Sequence, residues 1–214
     1  MEKSEARAFV LERRDGIETR VRAEKCTTIC GVLTEMLDDI RLARENVSSA
    51  AGVCYRQEPL AVALYQAMKS EVSLDCFIEE VYERGLTACF PCMVKHPAET
   101  GRNTSMTFRA VSREQYEHGG VAFLDHPLRS FADDDPALAS YPLVDTPMLD
   151  VVIVPLVAFD GENNRLGYGG GNYDRLIDDL RDDAVAIGVA FEEQRIDSVP
   201  CEPHDKQLPA IVSA

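Results

Sequence analysis

The sequence has no tryptophan and only four histidines, and basic side chains are in the minority. Its 214 residues contain 22 lysines and arginines against 37 aspartates and glutamates, which gives a formal net charge of −15. Phosphate backbones and anionic membrane surfaces repel such a charge, so we expect neither nucleic acid nor a membrane among the partners. The G-x-S-x-G pattern of many serine hydrolases is also absent, so a serine nucleophile has no candidate.

Long apolar runs are missing as well. The longest, residues 151–159, has the length of a strand and falls short of the roughly 18 residues of a membrane helix. The opening residues MEKSEAR contain no apolar core of the kind that an export signal needs. Seven cysteines are an odd number, and without an export signal they indicate reduced thiols. We therefore predict a cytoplasmic protein.

What is present is an alternation of helical and strand patterns. Residues 2–45 contain no proline and are rich in Glu, Arg, Ala and Leu, which predicts two helices separated at Gly16. Residues 60–65 and 86–90 are short apolar runs that predict strands, with a turn of helix as the alternative for the first run. Between them, apolar residues at i, i+3, i+4 spacing predict a helix over 72–84. This β-α-β unit predicts parallel pairing and an α/β layer fold.

Cys89 and Cys92 flank Pro91, where we expect the second strand to end. A redox C-x-x-C needs a low-pKa thiol at a helix start, and a structural zinc site needs four ligands. The sequence contains no second C-x-x-C. We therefore interpret the pair as buried cysteines near the end of a strand.

The second half continues the alternation. Residues 106–111 predict a strand, and residues 118–149, with clustered Asp, Gly and Pro, predict a long irregular surface connection. The β-branched run 151–154 is continuous, as in a central parallel strand buried on both faces. A helix over 173–182 and a strand over 184–190 follow. We predict a single three-layer α/β domain with a mostly parallel central sheet flanked by helices.

The strongest functional signal follows the strand at 151–154, where residues 165–174 read RLGYGGGNYD. Ligands of open α/β sheets bind beyond the carboxyl ends of the strands. Glycines let backbone N–H groups approach a phosphate, and a helix start adds partial positive charge. Arg165 would add a guanidinium, and Asp174 could hold a magnesium ion against phosphate oxygens. A tight solvated turn is the alternative, since neither G-x-x-x-x-G-K-[ST] nor G-x-G-x-x-G is present.

The same run resembles the signature of the 5-formyltetrahydrofolate cyclo-ligase family, also called methenyltetrahydrofolate synthetase. In that family an apolar strand ends in proline, and a segment of the form FD-x-x-x-x-RLG-x-G-x-GYYD follows. The positions that match in register are Phe159, Asp160, Arg165, Leu166, Gly167, Gly169, Gly171, Tyr173 and Asp174. Asn172 stands where the family has the first tyrosine of the pair.

Weaker matches lie in the first half of the chain. Lys3 and Arg7 resemble the family's basic pair that reaches ATP, and at i, i+4 they share a helix face. Residues 65–72 resemble the segment whose glutamate, here Glu71, contacts the folate. Ser73 and Leu74 depart from the usual continuation of that segment.

Two further matches lie later. Residues 104–108 resemble the family's strand against the pterin. Residues 199–205 resemble the C-terminal segment that supplies a second magnesium carboxylate, here Asp205, with His204 beside it.

The resemblance implies three sets of site residues. ATP would be bound by Lys3, Arg7, Arg165, Leu166, Gly167, Tyr168, Gly169, Gly170, Gly171, Asn172 and Tyr173. The folate would be bound by Gln66, Glu71, Met106 and Tyr168. The Mg²⁺ ion would be held by Asp174 and Asp205.

The resemblance also implies a reaction and a fold. The reaction is the ATP-dependent cyclisation of 5-formyltetrahydrofolate to 5,10-methenyltetrahydrofolate, in which the formyl oxygen is phosphorylated and ADP and phosphate are released. The fold is similar to that of sugar-phosphate isomerases and CoA-transferases, as one domain over residues 1–214. We expect a monomer or a weak homodimer.

Two alternatives stay open. The departures at Ser73, Leu74 and Asn172 motivate a non-catalytic relative that binds the nucleotide but has lost folate turnover. A different enzyme on a similar architecture, such as a sugar-phosphate isomerase or an acyl-CoA transferase, needs a catalytic carboxylate or lysine in the loops. The sequence singles out no such residue.

Overall fold

A computed structural model describes residues 2–51, 59–96, 104–202 and 205–214, with the backbone alone for residues 47–51. In chain order the elements are α1 (Lys3–Asp15), α2 (Thr19–Ala51), β1 (Ala61–Ala63), α3 (Asp75–Glu83), β2 (Thr87–Lys95), β3 (Thr104–Ala110), α4 (Arg113–His118), α5 (Ala122–Asp125), β4 (Ser130–Phe131), β5 (Leu143–Val144), β6 (Val151–Pro155), β7 (Ala158–Phe159), β8 (Arg165–Leu166), α6 (Asn172–Asp179), β9 (Val185–Ala190) and β10 (Ala210–Ser213). Within these ranges, every helix is too short or too polar to cross a membrane.

The two N-terminal helices are confirmed, and Gly16 caps the first of them. The second helix continues through Gly31 and extends beyond residue 45, where the prediction stopped. Gly31 costs only a modest amount of helix propensity, and a helix of this length absorbs it. Ile29, Leu33 and Leu37 form its buried stripe, as helical spacing requires.

The central sheet has the strand order β10-β9-β6-β1-β2-β3-β5, with β4 beside β2. The strands β10, β9, β6, β1 and β2 run parallel to their neighbours, as the β-α-β prediction required. At one side of the sheet β3 pairs antiparallel with β2, and β5 pairs antiparallel with β3. The carboxyl ends of the parallel strands therefore share one edge, where open α/β sheets place their ligands.

The sheet is the middle of three layers because its strands are apolar on both faces. Val62 and Ile153 point into a core that they share with α2 and α3. Their neighbours Ala63 and Val152 point to the opposite face, where the core includes Leu176 of α6. Burial on both faces explains why β6 has a continuous apolar sequence rather than an alternating one.

A third, smaller core packs helix α1 against segments from the last third of the chain. Ala6 and Val10 of α1 pack on Val157 and Leu166 of the β7–β8 hairpin, and Val199 completes the cluster. The N-terminal helix is thereby held against the segment that carries the glycines.

The expectation that β2 ends at Pro91 is wrong, because the strand runs on to Lys95. The Cys89 carbonyl accepts a hydrogen bond from the Leu64 N–H, so the backbone groups of Cys89 face β1. Along a strand, the backbone groups of successive residues face alternate neighbouring strands. The nitrogen of Pro91 therefore faces the same side as Cys89, beyond the end of β1 at Ala63. A missing N–H at that place breaks no ladder hydrogen bond.

The interpretation of residues 118–149 as a surface connection is also incomplete. Within them, β4 pairs with β2 and β5 pairs with β3. Phe123, Phe131 and Leu138 are buried in the main core. These elements are two to four residues long, so their sequences are too short to show a period.

Cys89 and Cys92 are buried in β2, in agreement with their interpretation as core side chains. Burial raises the pKa of the Cys89 thiol to about 12, and the charge of Asp150 adds to the rise. Such a thiol carries no thiolate at neutral pH, which excludes Cys89 as a redox nucleophile.

Candidate functional site

A cavity of about 810 Å³ lies at the carboxyl edge of the parallel strands. It is lined by α1, by the segments that follow β1 and β6, and by the glycine-rich segment before α6. All sixteen predicted site residues line this cavity: Lys3, Arg7, Gln66, Glu71, Met106, Arg165, Leu166, Gly167, Tyr168, Gly169, Gly170, Gly171, Asn172, Tyr173, Asp174 and Asp205. Their division among ATP, folate and magnesium stays a prediction.

Residues 167–171, which we call the glycine loop, connect β8 to α6. Gly169 has φ +101° and Gly171, the N-cap of α6, has φ +60°. Side chains with a Cβ rarely adopt these conformations, so glycine is required at both positions. The loop therefore keeps a bare backbone at a helix start, which is the arrangement that binds phosphate groups.

Arg7 fastens α1 to this loop. Its Nε donates to the Gly167 carbonyl at 2.7 Å. Its guanidinium also lies 3.4 Å from the place that a Cβ on Gly169 would occupy. A fixed positive charge thus lies directly against the bare backbone, as a phosphate-binding site requires.

Lys3, one helical turn earlier, meets the C-terminal segment. Its Nζ lies 2.7 Å from Asp205 Oδ2 and 2.9 Å from Glu202 Oε2. Burial alone would lower the pKa of Lys3, but the hydrogen bonds to Asp205 and Glu202 raise it above the ordinary value. The Lys3 ammonium group is therefore protonated, and positively charged, at neutral pH at the wall of the cavity. His204, predicted beside Asp205, lies outside the described residues.

Arg165 and Asp174 form the inner ion pair of the site. Arg165 Nη2 lies 2.9 Å from Asp174 Oδ1, and the Arg165 side chain is 5% exposed. The Arg165 Nε is buried and has no hydrogen-bond partner in the described ranges. A buried donor without a partner carries a free-energy cost unless a ligand supplies an acceptor.

Asp174 and Asp205 suit a magnesium ion that takes most of its ligands from a phosphate and from water. Mg²⁺ prefers oxygen ligands and commonly takes only one or two carboxylates, with phosphate oxygens and waters completing the shell. In the part of the chain that the structure describes, no three His, Cys, Asp or Glu side chains gather as a metal cage. The donors present thus fit an ion shared with a phosphate ligand.

The opposite wall begins with the turn that follows β1. Glu71 is buried, and its Oε2 accepts from the Met68 N–H at 2.8 Å. Lys69, between them, has φ +52°, which is unusual for a residue other than glycine. Tyr65 donates from its hydroxyl to the Val72 carbonyl at 2.7 Å and closes the turn. A rigid turn therefore presents the Glu71 carboxylate to the cavity.

Arg14 is a cavity residue that the sequence interpretation missed. It is 2% exposed, and its Nε donates to Ser70 Oγ at 3.0 Å. Its Cζ lies 5.9 Å from the ring centre of Tyr168. A signal was available, because Arg14 follows Arg7 by seven residues, or about two helical turns, and so shares its helix face.

Tyr168 stands between the two walls. Burial raises the pKa of its phenol to about 12, with Glu71 raising it and Arg14 lowering it. The hydroxyl is thus protonated at neutral pH and can donate. Burial also raises the pKa of Tyr173, so Tyr168 and Tyr173 are both neutral donors.

An apolar wall was missed as well. Met93, Phe123, Leu124, Pro127 and Leu128 also line the cavity. Leu128 is 81% exposed at its rim. Four of these residues lie in α5 or the turn after it, inside the range that we expected to be a surface connection. Their spacing follows neither helix nor strand, so no pattern announced them.

Asp160 holds the frame of the site from outside the cavity. Its Oδ1 accepts from the N–H groups of Glu162 and Asn164, and its Oδ2 accepts from Val199 N–H at 2.9 Å. Burial alone would raise the pKa of this carboxyl, but the hydrogen bond from Val199 and those from Asn164 and Glu162 lower it. Asp160 thereby fixes the turn before β8 and the segment that leads to Asp205.

Comparisons with known proteins identify the family and the fold. The profile of the 5-formyltetrahydrofolate cyclo-ligase family matches residues 2–214. A 5-formyltetrahydrofolate cyclo-ligase of Escherichia coli (strain K12) is 28% identical over 153 residues, which are 71% of this chain and 76% of that protein. The Haemophilus influenzae protein of the same name is 27% identical over 150 residues, covering 69% and 72%. The solved structure of a 5,10-methenyltetrahydrofolate synthetase from Mycoplasma pneumoniae superposes with a TM-score of 0.65 and 23% identity, covering 99% of this chain and 98% of that one.

Proposed function

The chain belongs to the 5-formyltetrahydrofolate cyclo-ligase family, and we propose on that premise that it cyclises 5-formyltetrahydrofolate to 5,10-methenyltetrahydrofolate at the expense of ATP. One observation carries the assignment to this cavity. The residues that the family resemblance assigns to ATP, to folate and to magnesium all line a single space. Two substrates that must react with each other need such a shared space.

The reaction has three parts. The formyl oxygen on N5 attacks the γ-phosphorus of ATP, and the bond to the β-γ bridging oxygen breaks to release ADP. N10 then attacks the formyl carbon, and a new C–N bond forms as N10 loses its proton. Finally the C–O bond breaks and the oxygen leaves with the phosphate, which gives the methenyl cation. A phosphorylated oxygen is a far better leaving group than the original amide-like oxygen.

The nucleotide side of the cavity consists of Lys3, Arg7, Arg165 and the glycine loop. We assign the triphosphate to this side, since backbone N–H groups and three cations surround the bare loop. Phosphoryl transfer requires mostly positioning and neutralisation of charge, and these groups supply both. Asp174 and Asp205 would hold the Mg²⁺ ion, which when bound supplies additional positive charge to the phosphate oxygens.

The folate side consists of the turn at residues 66–71, Met106 and the apolar wall. The ionised Glu71 carboxylate only accepts hydrogen bonds, so it suits the amino and ring N–H groups of a pterin. Thioether and aromatic side chains of the apolar wall suit the flat rings of the same substrate. Tyr168 belongs to the glycine loop, and its phenol is close enough to Glu71 of this side for that carboxylate to raise its pKa. We therefore propose that the formyl group meets the γ-phosphate beside Tyr168.

A reducing compartment is the proposed location. Each of the six cysteines in the described ranges is a free thiol, and Cys30 and Cys92 are buried where oxidation would disrupt packing. We propose the cytoplasm on this ground.

The test is an absorbance measurement at the methenyltetrahydrofolate band, with purified protein, 5-formyltetrahydrofolate, Mg²⁺ and ATP. We expect a rise that requires ATP and is accompanied by stoichiometric phosphate release. Binding of ATP without any rise, in well-folded protein, would instead support the non-catalytic relative. A protein that binds neither substrate would refute the assignment of the cavity.

A further inference from the structure

Arg14 has an unused donor in a place where an unused donor is costly. The side chain is 98% buried, and its Nη1 makes no hydrogen bond with any part of the chain that the structure describes. Burying a charged group without a complete set of partners is strongly unfavourable. The same guanidinium lines the cavity, so a bound ligand can reach it.

The rest of the Arg14 guanidinium is held in place. Its Nε donates to Ser70 Oγ at 3.0 Å, and that hydroxyl bonds in turn to Asp15. The ring of Tyr168 lies on its other side, at 5.9 Å from Cζ. The direction of the free Nη1 is therefore fixed before a ligand arrives, and a preorganised donor loses little entropy on binding.

The nucleotide side of the cavity already has three cations, Lys3, Arg7 and Arg165. Arg14 lies about 10 Å further along α1 than Arg7, given a rise of about 1.5 Å per residue. Its Nε donates to Ser70, the residue directly before Glu71. Glu71 raises the pKa of the Tyr168 phenol and Arg14 lowers it, so both side chains lie near that hydroxyl. The acceptor for Nη1 thus belongs to the part of the substrate that meets Glu71.

A carboxylate beside a guanidinium selects a particular chemical edge. An ionised carboxylate only accepts hydrogen bonds, and a guanidinium only donates them. A 2-amino-4-oxo pyrimidine ring presents two donors, the 2-amino group and N3–H, next to one acceptor, the 4-oxo oxygen. The donors match Glu71, and the acceptor matches the neighbouring donor of Arg14.

We propose that Arg14 is a substrate-binding residue whose Nη1 donates to the 4-oxo oxygen of the pterin ring, while Glu71 accepts from the adjacent N–H groups. This inference rests on the proposed function. It makes the Arg14–Glu71 pair the element that distinguishes 4-oxo pterins from 4-amino pterins, because a 4-amino group would place donor against donor.

The experiment compares the binding of 5-formyltetrahydrofolate and its 4-amino counterpart, without ATP so that no turnover occurs. Calorimetry gives the two Kd values for the wild type, Arg14→Gln and Arg14→Lys, and steady-state kinetics give KM for each substrate. Arg13→Gln is the matched control. It removes the same charge from the neighbouring position, where Arg13 is exposed, contacts Phe9 and the Arg195 carbonyl, and does not line the cavity.

For Arg14→Gln we expect Kd for the 4-oxo ligand to rise by about 10- to 100-fold, the loss of one hydrogen bond from a charged donor. The preference for 4-oxo over 4-amino should fall by about 10-fold or more, since the donor clash disappears. KM for ATP should change by less than about threefold, which a general disturbance of the fold would not allow. Arg14→Lys should regain part of the preference, and Arg13→Gln should match the wild type.

An unchanged preference in Arg14→Gln, with intact ATP kinetics and thermal stability, would overturn the inference and leave the proposed function standing. Equal losses for both ligands and for ATP would also overturn it, since they indicate a structural role. A wild-type protein that binds neither pterin would instead refute the proposed function itself.

Discussion

Residues 165–174 follow one another without a gap and supply most of the proposed nucleotide side, whereas the proposed folate side draws on the turn after β1, on β2 and β3, and on α5. The nucleotide side would bind its ligand largely through backbone N–H groups, and its loop conformation requires glycines at Gly169 and Gly171. The second works through side chains, most of them apolar and interchangeable in kind. A backbone site therefore leaves a fixed sequence signature, and a side-chain site does not. The same difference predicts how each side responds to substitution.

The largest expected effect is on the backbone side. Gly169→Val should lower kcat/KM by about 1000-fold or more, because the loop must leave φ +101° and the new side chain meets Arg7. Steady-state kinetics with ATP varied would show it. Gly161→Val is the control, since that exposed glycine has no atom within 4 Å of the Cβ position and should keep activity within about threefold. Equal losses in both variants would contradict the role of the loop.

A paired substitution sharpens the contrast between the two sides. Arg7→Gln should raise KM for ATP, and Glu71→Gln should raise KM for the folate, each by about 10- to 100-fold for a charge-assisted hydrogen bond. The other KM should change by less than about threefold in each variant. Glu79→Gln on α3 serves as the control, because it breaks only an exposed ion pair. If both variants raised both KM values equally, the two sides would not be separate.

The frame of the nucleotide side should depend on pH through Asp160. Its folded-state pKa lies below the unfolded value of about 3.9, so the ionised carboxylate stabilises the fold at higher pH. This stabilisation is present above about pH 4 and is lost as the pH falls through the folded-state pKa.

Asp160→Asn should lower the free energy of unfolding by about 1–3 kcal/mol at pH 7, since hydrogen bonds to a charged acceptor are lost. The difference from the wild type should shrink in urea titrations near pH 3. Asp133→Asn, at an exposed position, should be neutral at both values. A difference that did not change with pH would contradict the role of the charge.

The smallest expected effect is at the one position of the signature that departs from the family. Asn172 accepts from Arg175 Nη2 at 2.6 Å, and its side-chain nitrogen contacts the sulfur of Met93 at 3.9 Å. Asn172→Tyr loses the first contact but gains area against the second, so we expect each KM to change by less than about threefold. A tenfold fall in KM for the folate would show that Asn172 weakens the folate side.

The sequence predicted the parallel centre of the sheet well, because β6 and β1 are continuous apolar runs and α3 has a clear helical period. It failed where elements are two residues long, as in β4 and β5, since such segments carry no period. The predicted end of β2 at Pro91 was wrong, because a proline interrupts a strand only where the neighbouring strand would accept a hydrogen bond from its missing N–H. Tertiary pairing, which the sequence does not display, decided these cases.

The candidate site divides in the same way. The glycine loop and its flanking charges could be identified because they are contiguous, whereas Lys3 and Arg7 were identified only through the family resemblance, since a basic pair at i, i+4 is common in charged helices. Arg14 shared that spacing but was one of several arginines in a charged helix, and only its burial distinguishes it. The apolar wall could not be found, because Phe123 or Leu128 has the same sequence appearance as a core or surface residue.

The fastening of α1 to the rest of the chain has a consequence for folding. Arg7 meets Gly167 across 160 positions of sequence, and Lys3 meets Asp205 across 202. The parallel pairs of β6 with β9 and of β1 with β2 close much shorter loops. Closing a longer loop costs more entropy and slows formation of the contact. We expect the sheet to form first and the cavity last, so that a partly folded chain has a core but no place for a nucleotide.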